Sequence, residues 1–172
     1  MGLDQYLYAE IQLPVYASLR EEYQTKEAKL QDKLRTKIIK DLALDKMLPA
    51  TSAVFGIFEC PPTVTVKLEC AYWRKCNQVH AFFTRDIKEP DNFNGQDICV
   101  SREDLEELQH IIFQVQADPE KAEELLSTQG GFFFGSTDYD EYYFKDLENT
   151  LEILNRILAD KRDCTFYYNA NW

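Results

Sequence analysis

The sequence predicts an α+β fold: a small, mostly antiparallel sheet packed by helices, with a long helical arm near the N-terminus. Three observations carry this. Short stretches of alternating or β-branched character recur along the chain. Between them lie segments whose apolar residues repeat every three to four positions, the spacing of one helix face. Strands and helices alternate irregularly, and no Gly-rich phosphate loop follows any strand.

The elements follow in order. Residues 3–13 (LDQYLYAEIQL) partly alternate and read as a first strand. Ser18 with Glu21 three residues on makes a capping box for a helix over 18–46. Leu19, Tyr23, Leu30, Leu34, Ile38 and Leu42 form its single apolar stripe, and Pro49 ends the region. At 1.5 Å per residue one helix of about 28 residues is roughly 42 Å long; two helices with a break fit the same stretch. Its narrow stripe and charged remainder suit a helix that lies along the domain or projects as an arm that pairs with something, and allow a homodimer through it. Residues 52–58 and 63–70 read as strands, with Pro61-Pro62 turning between them. Residues 73–87 change period, placing Trp73, Cys76, His80, Phe83 and Ile87 on one helix face. A loop over 88–96 leads to the short strand DICV.

Ser101 caps a helix with Asp104 at the third position and Leu105, Leu108, Ile111, Ile112 and Val115 buried. Asp118-Pro119 restarts a short helix that Gly130-Gly131 breaks. Phe132–Phe134 reads as a short buried strand. Asp138, with Glu141 three residues on, caps the next helix, whose core face is Phe144, Leu147, Leu151, Leu154 and Leu158. A strand over 164–168 closes the chain. No repeat or linker argues for a second domain, so residues 1–172 read as one domain with 18–46 as its appendage.

Charge is asymmetric. The net charge is −11 over 172 residues. Residues 1–85 hold 12 Lys/Arg against 10 Asp/Glu, whereas residues 86–172 hold 7 against 20. The acidic half repels phosphate backbones, so no direct nucleic-acid binding is expected there. It attracts basic protein surfaces and speeds encounter with them. No stretch approaches 18 apolar residues, so no membrane span is expected. The opening MGLDQYLYAE lacks the basic and apolar regions of a signal peptide. The five cysteines are scattered and read as reduced, mostly buried small hydrophobes of a cytoplasmic protein.

Two polar segments carry candidate chemistry. In YWRKCNQVH, Trp73, Arg74, Lys75, Asn77 and His80 open the expected helix, where amide donors and cations favour an anion and a ring can stack a base. In STDYDEYY, Asp138, Tyr139, Asp140 and Tyr142 offer carboxylates for binding or acid–base work, while the tyrosines suit a protein surface. The duller account makes His80 a core residue, Asp138 a helix cap, and the two segments a buried network pairing Arg74 or His80 with Asp138 or Asp140. Cys76 and His80, four apart, have ligand spacing, but no CxxC pair supports zinc, and no metal or cofactor is expected. No catalytic residue is assigned. Glu103, Glu106, Glu107 and Tyr143 are the candidate protein-interface residues.

At MGLDQYLY, YWRKCNQVHAFF, VSREDLEEL and GFFFGSTDYDEYYFKDLENTLEIL, about half the chain, the sequence resembles a family of small bacteriophage and prophage proteins of unestablished activity. The resemblance implies alanine as the usual residue at the position of Cys76, which further weakens zinc, and an 18–46 helix that is specific to this chain or at least variable. The resemblance implies a phage-encoded accessory protein acting in the host bacterial cytoplasm. Two functions are open. One is binding and inhibition of a host protein with a basic surface, such as a nucleic-acid-binding defence effector, through the acidic face. The alternative is a nucleotide-like ligand bound or hydrolysed around Trp73, Arg74, His80 and Asp138.

Overall fold

The computed structural model describes residues 2–14, 26–42, 63–87 and 94–172. Two compact units divide the chain: Met1–Glu10 with Lys67–Trp172, and Ile11–Val66. Strands β1 (Asp4–Pro14), β2 (Thr63–Arg74), β3 (Asp97–Val100) and β4 (Thr165–Asn171) form one sheet in the order β2-β1-β4-β3. The first and last strands of the sequence therefore lie side by side at its centre. They pair antiparallel from Asp4 opposite Asn171 to Glu10 opposite Thr165, and β3 pairs antiparallel with β4.

Alternation decides which side of the sheet is covered. Gln5, Leu7 and Ala9 of β1 are buried together with Phe166, Tyr168 and Ala170 of β4. Their neighbours Asp4, Tyr6, Tyr8 and Glu10 point the other way, as period-two geometry requires. Against the buried face pack α2 (Asn77–Thr84), α3 (Arg102–Ala117) and α5 (Glu141–Ala159), whose apolar side chains share one core with the strands.

The helix α3 forms as its residues dictate. The Ser101 hydroxyl accepts from the Asp104 amide at 3.0 Å, and the Asp104 carboxylate accepts from the Ser101 amide at 2.9 Å. These reciprocal bonds make a capping box at the expected cap. Leu105, Leu108, Ile112 and Val115 are fully buried on its inner face. After it, a 3-10 turn at Pro119–Lys121 enters the short α4 (Ala122–Leu125). In α5 the buried face is Tyr143, Leu147, Thr150, Ile153, Leu154, Ile157 and Leu158, with Phe144 and Leu151 partly buried beside it.

Several expectations are corrected. The helix read over 73–87 begins only at Asn77, because β2 runs on through Arg74. Ala71 and Trp73 are buried while Tyr72 and Arg74 are exposed, a strand alternation that the helical spacing of Trp73, Cys76 and His80 hides. Phe132–Phe134 is a turn, not a buried strand, and Phe132 is 95% exposed. The cap of α5 is Asp140, not Asp138: its Oδ1 accepts from the amides of Tyr142 and Tyr143 at 2.9 and 3.1 Å. Of the free cysteines described, Cys76 is buried, Cys70 and Cys164 are intermediate and Cys99 is exposed.

In the second unit, helix α1 (Lys26–Asp41) occupies the middle of the expected 18–46 helix. Positions 18–25 and 43–46, the strand expected at 52–58, the Pro61-Pro62 turn and most of the 88–96 loop lie outside the described residues.

Candidate functional site: a corner built from three distant segments

Three segments far apart in sequence meet at one corner of the first unit. The Lys75 amide donates to the Leu3 carbonyl at 2.7 Å, and the Leu3 amide donates to the Phe133 carbonyl at 3.1 Å. Asn77 ties the corner together. Its Nδ2 donates to the carbonyls of Phe134 and Ser136 at 3.1 and 2.7 Å, and its Oδ1 accepts from the Gln129 amide at 3.1 Å. Asn77 is 1% exposed, so these bonds are shielded from competing water.

Backbone shape explains the glycines. Gly135 has φ of 93° and stands where a Cβ would meet Lys75 Cβ at 3.2 Å. Lys75 itself has φ of 59°. Two left-handed residues thus abut, and at Gly135 only glycine avoids both the strain and the contact. At Gly131 a Cβ would fall 2.7 Å from the Phe134 ring. The Phe134 amide closes the turn onto the Gly131 carbonyl at 3.2 Å.

That turn sorts the three phenylalanines. Phe134 is buried, edge-on to His80 at 5.0 Å and to Trp172 at 5.3 Å. Phe132 projects outward, with Phe133 edge-on beside it at 4.7 Å. The flanks are held too. Thr128 donates from its hydroxyl to the Thr137 carbonyl and from its amide to the Tyr139 hydroxyl. Tyr143 donates from its hydroxyl to the Leu126 carbonyl at 2.8 Å. The exposed ring therefore sits on a braced loop.

The other candidate residues fall as follows. Trp73 is in the core, its indole N–H donating to the Thr150 hydroxyl at 3.0 Å, so no ring face is open for stacking. Arg74 is exposed, 3.9 Å from Asp4, and Lys75 is exposed. His80 is fully buried. Tyr168 gives its one hydroxyl proton to Gln5 Oε1 at 2.9 Å, so His80 Nδ1 carries a hydrogen and donates to Tyr168 at 2.8 Å. Burial pushes the His80 pKa down to about 4, so the ring is neutral near pH 7. Asp138 bonds Ser136, accepting from its hydroxyl at 2.9 Å. Neither it nor Asp140 bonds Arg74 or His80, so the expected network takes another form: Asn77 joins the two segments through backbone groups.

Tyr139 is half-buried and Tyr142 is 69% exposed. Tyr143 is buried and cannot serve as the surface contact expected of it. Glu103, Glu106 and Glu107 are exposed on α3, and Glu107 and Asp104 both accept from Arg85, at 2.6 and 3.0 Å. Among the described residues no group of His, Cys, Asp and Glu has the arrangement of a metal site, and burial pushes the Cys76 thiol well up. No helix of the described residues is long and apolar enough to cross a membrane.

Two features escape the sequence reading. One is Phe132 itself; the glycines at 130, 131 and 135 were the available signal that these rings sit in a turn. The other is the far side of the sheet. There Tyr6 stacks on Tyr8 and leans on Tyr72, and Lys67 lies 4.4 Å over the Tyr8 ring while pairing with Asp97 at 3.1 Å. The alternation of Tyr6 with Tyr8 signals that face.

No family model, curated protein or solved structure matches the chain.

Proposed function

We propose that the protein is a binding module that docks a folded partner protein at the braced corner, with Phe132 as the anchor. The observation that carries this is the exposure of Phe132, 95%, on a loop fixed by Asn77 and two glycines. A large apolar ring held out in water costs solvation free energy that a partner's pocket recovers. Burial of such a side chain contributes about 1.5–3 kcal/mol. A rigid anchor also loses little entropy on docking, the pattern of an interface hot spot.

The rest of the reading follows from charge and resemblance. The acidic excess of residues 86–172 supplies a long-range field that steers a basic partner toward the molecule. The resemblance to phage proteins makes that partner a host bacterial protein and the outcome its inhibition. The experiment is retention of bacterial lysate proteins on immobilised wild-type protein and on Phe132→Ala, at low and high salt. One dominant protein held by the wild type and lost on Phe132→Ala supports the reading. Equal retention by both removes Phe132 from the interface.

A further inference from the structure

We infer that α1 is a self-association element: its apolar stripe and lysine row dock on the acidic outer face of α3 in a second copy of this chain. This rests on observations apart from the Phe132 corner. Leu30 is 65% exposed, Leu34 41% and Leu42 66%. Leu30 and Leu34 are four apart on one side of the helix, and Leu42 follows eight positions on, one residue beyond its end. Beside that stripe runs a second row at the same spacing, Lys29, Lys33 and Lys37, all exposed. A helix with this pattern is basic and amphipathic, and it seeks an acidic surface with an apolar centre.

The chain carries such a surface. On α3, Glu103, Glu106 and Phe113 fall at helical spacings of three and seven, on the side opposite the buried leucines. All three are exposed, Phe113 to 48%. Lysines of α1 meet these glutamates while its leucines cover the Phe113 ring. Other acidic occupants fit less well. An anionic membrane or a nucleic acid would attract α1 but repel a chain of net charge −11. A second copy brings the complementary sign on the same molecule, and exchange of α1 in both directions closes a symmetric pair.

The test is sedimentation of the full chain over a concentration series at low salt, with dichroism to confirm folding. The wild type should approach twice its 20.2 kDa mass. Leu34→Glu, which keeps a good helix former, should weaken association about tenfold or more. Lys33→Glu with Lys37→Glu, and separately Glu103→Lys with Glu106→Lys, should each give monomers. Mixing these two charge-reversed chains should restore the dimer, since each then offers what the other lacks. A wild type that stays monomeric overturns the inference. So does a dimer that survives every variant, or charge-reversed chains that fail to pair when mixed. A monomer that floats with phosphatidylserine vesicles overturns it in favour of a lipid surface.

Discussion

Removing the Asn77 side chain tests the bracing of the corner. Asn77→Ala deletes three hydrogen bonds and leaves the Gln129 amide and the carbonyls of Phe134 and Ser136 without that partner. Each such bond is worth about 1 kcal/mol net, and a buried group left unpaired costs about 1–3 kcal/mol. Water reaching the loosened loop recovers part of this. The expected loss is about 3 kcal/mol, a large share of a domain's marginal stability. Asn77→Asp keeps the acceptor for Gln129 but turns a carboxylate oxygen toward two carbonyls, so it should be no milder. The assay is urea unfolding with fixed slope, combined with amide hydrogen exchange over 129–136. Exchange there should rise well above the global change, because the loop opens before the core does. A loss below about 1 kcal/mol with unchanged exchange would refute the claim that Asn77 braces the loop.

Three further outcomes follow from the same geometry. His80 is held neutral by burial, its folded pKa of about 4 lying below the ordinary 6.5, so protonation favours the unfolded chain. Stability should therefore fall as pH drops below 6.5, by about 3 kcal/mol once pH is below 4, and His80→Gln should flatten that limb in urea midpoints measured across the range. Gly135→Ala forces a side chain into a left-handed position against Lys75 and should cost about 1–3 kcal/mol, read as a lower melting temperature. Ser101→Ala removes the α3 cap and should cost about 1 kcal/mol in the same measurement, with the fold unchanged by dichroism.

How much of this was legible in the sequence depends on whether the signal is local. The start of α3 was legible because a capping box is written within four consecutive residues, Ser101 to Asp104. The DICV strand and the helical restart at Pro119 were legible for the same reason. Trp73 misleads because Trp73, Cys76 and His80 satisfy a helical spacing while Ala71 to Arg74 satisfy a strand alternation. The positive φ at Lys75, which divides the two, leaves no mark on residue type. The bracing by Asn77 was not legible at all, since its partners lie 52 to 59 positions away. His80 was read both as a candidate ligand residue and as a core histidine; it is buried, and its partners Tyr168 and Gln5 come from opposite ends of the chain. At the corner itself the residues of interest were quoted, yet the roles were exchanged. The tryptophan expected to stack is buried, and a phenylalanine expected to be buried is exposed.

The central claim is that Phe132 anchors a partner, and the most direct measurement is the affinity of the captured partner for wild type and for Phe132→Ala. Loss of a buried ring worth about 2 kcal/mol weakens binding about thirtyfold. Because Phe132 is exposed in the free protein, the melting temperature should not change. Thirtyfold weaker binding at an unchanged melting temperature is the predicted result. Affinities within about threefold of each other would contradict the account.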